Sequence, residues 1–231
     1  MNRQLLFALT MFALLIFPAA LSAQSPHAAE GASTVAKVTF DCDWPAFTPQ
    51  KFSVEVKADG SAKYSSSSPT RANEESSSAD EDYQLDFKLT PATRDKIFSL
   101  AGQSDYFKGD FDYRKHAIAN TGKKTLSYSD ATRHAQTVFN YSDNPAIQEL
   151  NRIFQGISNT LQHGRKLVFL RRFDKLGLEA ELKYAEQNAE SHNLAELQLI
   201  AHLLESIVDD KSILNIARQR AKRLLTQSTA Q

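Results

Sequence analysis

The densest run of residues able to do chemistry spans 105–116, where Asp105, Asp110, Asp112 and His116 are interleaved with Tyr106, Phe107, Phe111 and Tyr113. Asp110 and Asp112 can share a hard cation such as calcium with Asp105 as a third oxygen ligand, and His116 can serve as a general base. The spacing of an EF-hand calcium loop is missing, so the plainer expectation is a surface loop anchored by its aromatic side chains. Catalytic signatures are absent elsewhere: there is no G-x-S-x-G, H-E-x-x-H, Walker loop or G-x-G-x-x-G, and a single cysteine, Cys42, excludes C-x-x-C. No cofactor is expected from these residues.

Three other polar groupings carry weaker chemistry. Glu74, Glu75, Asp80, Glu81 and Asp82 read as a solvated acidic stretch rather than a calcium site. Arg165, Lys166, Arg171, Arg172 and Lys175 are interleaved with Leu167, Val168, Phe169, Leu170 and Phe173. That composition suits a helix whose basic side chains snorkel outward, or a segment meeting an anionic surface. His192 and Glu196 read as a surface contact one helical turn apart, and His134 has no visible set of metal partners.

The elements that must position these groups begin after an N-terminal segment of export type. Arg3 precedes an apolar run over 5–17, Pro18 ends it, and small residues lead to an expected cleavage after Ala23. The run is short for a membrane span, so no integral span is expected after cleavage. The mature chain would lie outside the cytoplasm, in the periplasm or secreted. The 27 basic and 27 acidic residues balance, and the signal removes only Arg3, which leaves a net charge near −1 and no basic surface suited to nucleic acid. One cysteine cannot form an internal disulfide, and Cys42 shares a strand face with Val38 and Phe40, so it is expected to pack as a small hydrophobe.

Residues 24–33 read as a flexible leader. Period-2 alternation then predicts an α+β sheet domain over 34–142: Phe52, Val54 and Val56 alternate with Ser53 and Glu55, and Asp59-Gly60 marks a hairpin into Ala62 and Tyr64. Residues 65–82, rich in serine and acid, are expected to be disordered. Tyr83, Leu85 and Phe87 resume the alternation, and further strands are expected over 124–129 and 132–141. Thr90-Pro91 and Asn144-Pro145 are cap-plus-proline signals for a short helix and a long one. From 143 to 231 only helical stripes recur, broken at Gly164 and Gly177, with one helix from Leu194 to Val208 and a last one after Asp209-Asp210. The expected architecture is an antiparallel sheet of about six strands with one short helix, followed by a C-terminal helical region.

The Asp59-Gly60 hairpin, the Leu89-Thr90-Pro91 helix start, the Asp105-Tyr106-Phe107 stretch and the closing Ala217-Arg218-Gln219-Arg220-Ala221 helix together resemble uncharacterised exported acidobacterial proteins with a domain of unknown function. The resemblance implies a bacterial, extracytoplasmic setting and brings no activity or site residue. The expectation is a non-enzymatic binding or interaction module whose partner is an unidentified protein or envelope component. The alternatives are an extracytoplasmic hydrolase using the 105–116 loop and a peripheral envelope-associated protein using the basic segment 165–175.

Overall fold

The computed structural model describes residues 35–67 and 82–228. The expected signal, the leader and most of the expected Ser/acidic loop lie outside the described residues. Six strands form one antiparallel sheet: β1 (Lys37–Asp43), β2 (Lys51–Lys57), β3 (Ser61–Ser67), β4 (Tyr83–Lys88), β5 (Lys123–Ser129) and β6 (His134–Phe139). Their spatial order is β4-β3-β2-β1-β5-β6. Register follows the apolar parity. Phe40 lies opposite both Val54 and Leu126, and Val54 lies opposite Tyr64, so the inner face of the four central strands is buried, while Tyr83, Leu85 and Phe87 on the edge strand β4 are half-buried. A slip of one residue would turn every one of these side chains to solvent.

Helix α1 (Pro91–Gln103) starts at Thr90, whose hydroxyl accepts from the Thr93 N–H, and α2 (Pro145–Phe173) starts at Asn144, whose Oδ1 accepts from Ala146 and Ile147. Both caps stand where the cap-plus-proline pairs place them. The N-terminal half of α2 covers the sheet, with the Phe154 ring stacked on Phe40 at 5.1 Å. Its C-terminal half enters a second core with α3 (Gly177–Glu190), α4 (Ala201–Asp209) and α5 (Asn215–Ser228), built on Leu167, Leu182, Leu204 and Leu224. One helix therefore serves both cores. Among the described residues, no helix is long and apolar enough to cross a membrane.

The structure departs from the sequence reading in three places. Ser65, Ser66 and Ser67 are not loop; they continue β3 opposite Ser53, Phe52 and Lys51, and the Ser66 hydroxyl lies under the Gln162 amide at 3.3 Å. Backbone pairing to an existing strand orders these small residues without any apolar side chain. Gly164 does not break its helix: a Cβ there would meet Ile200 Cγ2 at 2.6 Å, so the glycine admits a neighbour and α2 runs straight through. His192 and Glu196 are not one turn apart on a helix. Both have left-handed φ values, 57° and 59°, in a bend that precedes a 3-10 turn at Leu197–Ile200 and then α4. Glu196 is buried and bonds to Thr90, across 106 positions of sequence.

Candidate functional site

The 105–116 run follows α1. Asp105–Phe107 forms a tight 3-10 turn in which all three residues have positive φ, 45°, 54° and 69°. Such backbone costs a non-glycine residue about 1–2 kcal/mol. It is held by the wholly buried Phe107 ring and by Tyr106, which packs on Tyr128 at 4.6 Å under the Arg133 guanidinium at 3.8 Å.

The carboxylates beyond this turn serve local structure. Asp110 accepts from the Asp112 N–H at 3.1 Å and pairs with Arg114 at 2.8 Å, while Asp112 accepts from the Asn140 N–H at 2.8 Å. Asp105 and His116 are exposed, and the His116 ring has Tyr113 as its neighbour at 6.2 Å. No hydrogen bond or ion pair joins either of them to Asp110 or Asp112 among the described residues. Nor do the described residues contain a group of three His, Cys, Asp or Glu placed to hold a metal ion. The loop thus resembles the aromatic-anchored surface segment more than a catalytic constellation.

A different constellation forms where the sheet meets α2. Trp44 follows β1, Lys124 stands near the start of β5, Phe139 ends β6, and Asn140, Tyr141 and Ser142 lead into the helix. Gln148, Asn151 and Gln155 face them from α2, spaced so that successive turns present one face. Together these residues line a half-open cavity of about 260 Å³. Gly122 brings the backbone close: its φ is 88°, and a Cβ there would lie 2.3 Å from Trp44.

Lys124 is the chemically unusual member. It is only 3 % exposed, yet its ammonium has no carboxylate partner among the described residues. It donates to the carbonyl oxygens of Thr121 (2.6 Å) and Asn140 (2.8 Å) and to the Thr121 hydroxyl (3.1 Å), and lies 5.7 Å from the Trp44 ring centroid. Burial holds its pKa below the ordinary lysine range, with the adjacent Cys42 working weakly the other way. The amine's protons are committed to the loop that closes the cavity, so Lys124 acts as a clamp. Thr121 reinforces that loop: its N–H donates to Asn140 Oδ1 at 2.7 Å and its hydroxyl to the Asn140 carbonyl at 2.9 Å.

The opposite wall is differently satisfied. Gln148 donates to the Tyr141 hydroxyl and to the Ser142 carbonyl, both at 2.9 Å. Asn151 also lines this wall, although its Oδ1 is itself buried and has no hydrogen-bond partner among the described residues. With Trp44 and Phe139 as apolar surface, the arrangement suits a small ligand with one polar side and one apolar side.

One signal in the sequence marks this site: Lys124 has the same strand parity as Leu126 and Tyr128, which places a lysine on the core face. A larger groove of about 440 Å³ lies over the outer face of the sheet, where Asp41, Asp43, Lys51, Ser53, Lys123 and Thr125 meet. Its Asp43 and Lys51 pair at 3.1 Å, as expected of a solvated sheet face. Neither a protein-family model nor a curated protein matches this chain.

Proposed function

We propose that this chain is a non-enzymatic, extracytoplasmic binding module that holds a small uncharged ligand in the cavity between Trp44, Lys124 and Asn151. The observation that carries the reading is the two-sided lining of that cavity, with apolar Trp44 and Phe139 on one side and Gln148, Asn151 and Gln155 on the other. The polar side of a ligand faces these three amide residues, and an apolar ligand face lies against Trp44 and Phe139. The extracytoplasmic placement rests on the export-type N-terminal segment. The hydrolase alternative has less support, because Asp110 and Asp112 are spent on Arg114 and on backbone N–H groups.

Thermal unfolding of the purified chain against a panel of mono- and disaccharides, nucleosides and N-acetyl amino-acid amides tests the proposal. At least one probe is expected to raise Tm in a concentration-dependent way, and Trp44→Ala or Asn151→Leu is expected to abolish that rise. No rise with any probe, or a rise that survives both substitutions, removes the cavity as the binding site. Turnover of an ester, peptide or glycan that is lost in Asp110→Asn or His116→Ala overturns the non-enzymatic reading in favour of the 105–116 loop.

A further inference from the structure

The basic segment of α2 does not hide its apolar residues. Val168 is 57 % exposed, Phe169 39 % and Phe173 63 %, and Leu176, at the corner between α2 and α3, is 77 % exposed. Arg165, Val168, Phe169, Arg172 and Phe173 recur at helical spacing and so form a single stripe. The Phe169 and Phe173 rings touch at 4.9 Å, and the Arg172 guanidinium lies 5.0 Å from the Phe173 centroid. A contiguous exposed apolar surface of this kind marks an interaction site more often than chance.

The charge around the stripe is mostly basic. Within the segment itself Arg165, Lys166, Arg171, Arg172 and Lys175 accompany a single acid, Asp174, which is turned to the Gly177 N–H at 2.9 Å, where it starts α3. Two acids from other elements also reach it: Glu181 pairs with Lys166 at 2.6 Å and Asp210 with Arg171 at 3.6 Å, while Arg171 donates to Ser206 at 2.6 Å and the Arg165 guanidinium lies 5.1 Å from the Tyr83 centroid. Lys166 and Arg171 sit at the margin while the aromatic residues stand at the crest. Neither of the two cavities described above includes any residue of the stripe. The stripe forms a ridge at the corner between α2 and α3.

We propose that this ridge docks on an anionic lipid surface. Val168, Phe169, Phe173 and Leu176 enter the boundary between headgroups and acyl chains, and the surrounding cations meet lipid phosphates. A lipid leaflet combines what the ridge complements: negative charge at its surface and apolar depth beneath it. The inference does not depend on the ligand cavity, which lies at the other end of α2.

Cosedimentation of the full chain with vesicles of phosphatidylcholine alone, or with added phosphatidylglycerol, tests it at low and high salt. Binding is expected only to the phosphatidylglycerol vesicles and is expected to weaken as salt rises. Phe169→Ser combined with Phe173→Ser is expected to lower the partition coefficient at least about tenfold, and Arg172→Gln about fivefold. These side chains are exposed, so circular dichroism melts should match the parent chain, and Arg172→Gln gives an independent reading if the double variant does not fold. Equal binding to both vesicle types, absence of binding, or binding unchanged by either variant overturns the proposal. A concentration-dependent dimer that the double variant loses, without lipid binding by the parent, assigns the ridge to a second copy of the chain instead.

Discussion

The carboxylate of Glu196 grips Thr90 twice, accepting from its backbone N–H at 2.8 Å and from its hydroxyl at 2.6 Å. Thr90 is the residue that opens α1, so a bend from the helical layer fixes the start of a helix on the sheet. Gln198 adds a third bond to the same carboxylate. Glu196 holds this position at a φ of 59°, which only these contacts make tolerable.

Two substitutions separate the bonding from the strain. Glu196→Ala removes the acceptors and keeps the unfavourable backbone, and is expected to cost about 2 kcal/mol. Glu196→Gly removes the same acceptors but relaxes the left-handed backbone, so it is expected to cost about 1 kcal/mol less. Urea unfolding followed by circular dichroism gives both values. Equal losses would show that the backbone at this position carries no strain.

Gly164→Ala supplies a second expectation, and its direction opposes helix propensity. Alanine is the better helix former by about 1 kcal/mol, but its methyl would meet Ile200 Cγ2 at 2.6 Å. A net destabilisation of about 1–3 kcal/mol is expected. Ile200→Ala removes the obstructing methyl, so in the double variant the two losses should fall well short of additive. A double-mutant cycle by chemical denaturation measures that coupling.

Acid titration should report on the junction of α1 and α2. Hydrogen bonds from Arg152 and then from Lys96 outweigh burial and hold the Glu149 carboxyl down, at about 2. The folded pKa lies below the ordinary glutamate value of 4.5, so the unfolded chain takes up the proton first as pH falls. Stability from Glu149 is fully present above about pH 4.5 and fades as pH approaches 2. Partial exposure limits it to about 1 kcal/mol. Urea midpoints of the parent chain and of Glu149→Gln should therefore differ at pH 6 and converge toward pH 2; a constant gap would exclude this carboxylate as the titrating group.

The parts of the fold legible in the sequence are those whose cause is local. Val54 and Val56 announce their strand because a half-buried strand alternates, and Thr90-Pro91 and Asn144-Pro145 announce their helices because a cap needs only its next three residues. The misread positions have distant causes. Gly164 continues a helix because Ile200 lies against it, and Glu196 leaves a helical pattern because Thr90 holds its side chain. The cavity was hidden for the same reason. Lys124, Trp44 and Asn151 meet only once β1, β5 and α2 are assembled, and no spacing between them records it. The 105–116 cluster, conversely, drew attention through local density, yet its acids mostly serve the backbone beside them.

Helix α2 spans 29 residues, roughly 43 Å at 1.5 Å per residue, and supplies buried side chains to both cores. A break before Leu161 strips the sheet of part of its cover, and a break after Leu167 strips the helical core of part of its wall. The sheet and the helical layer thus share one continuous rod, whose two ends are buried in different cores.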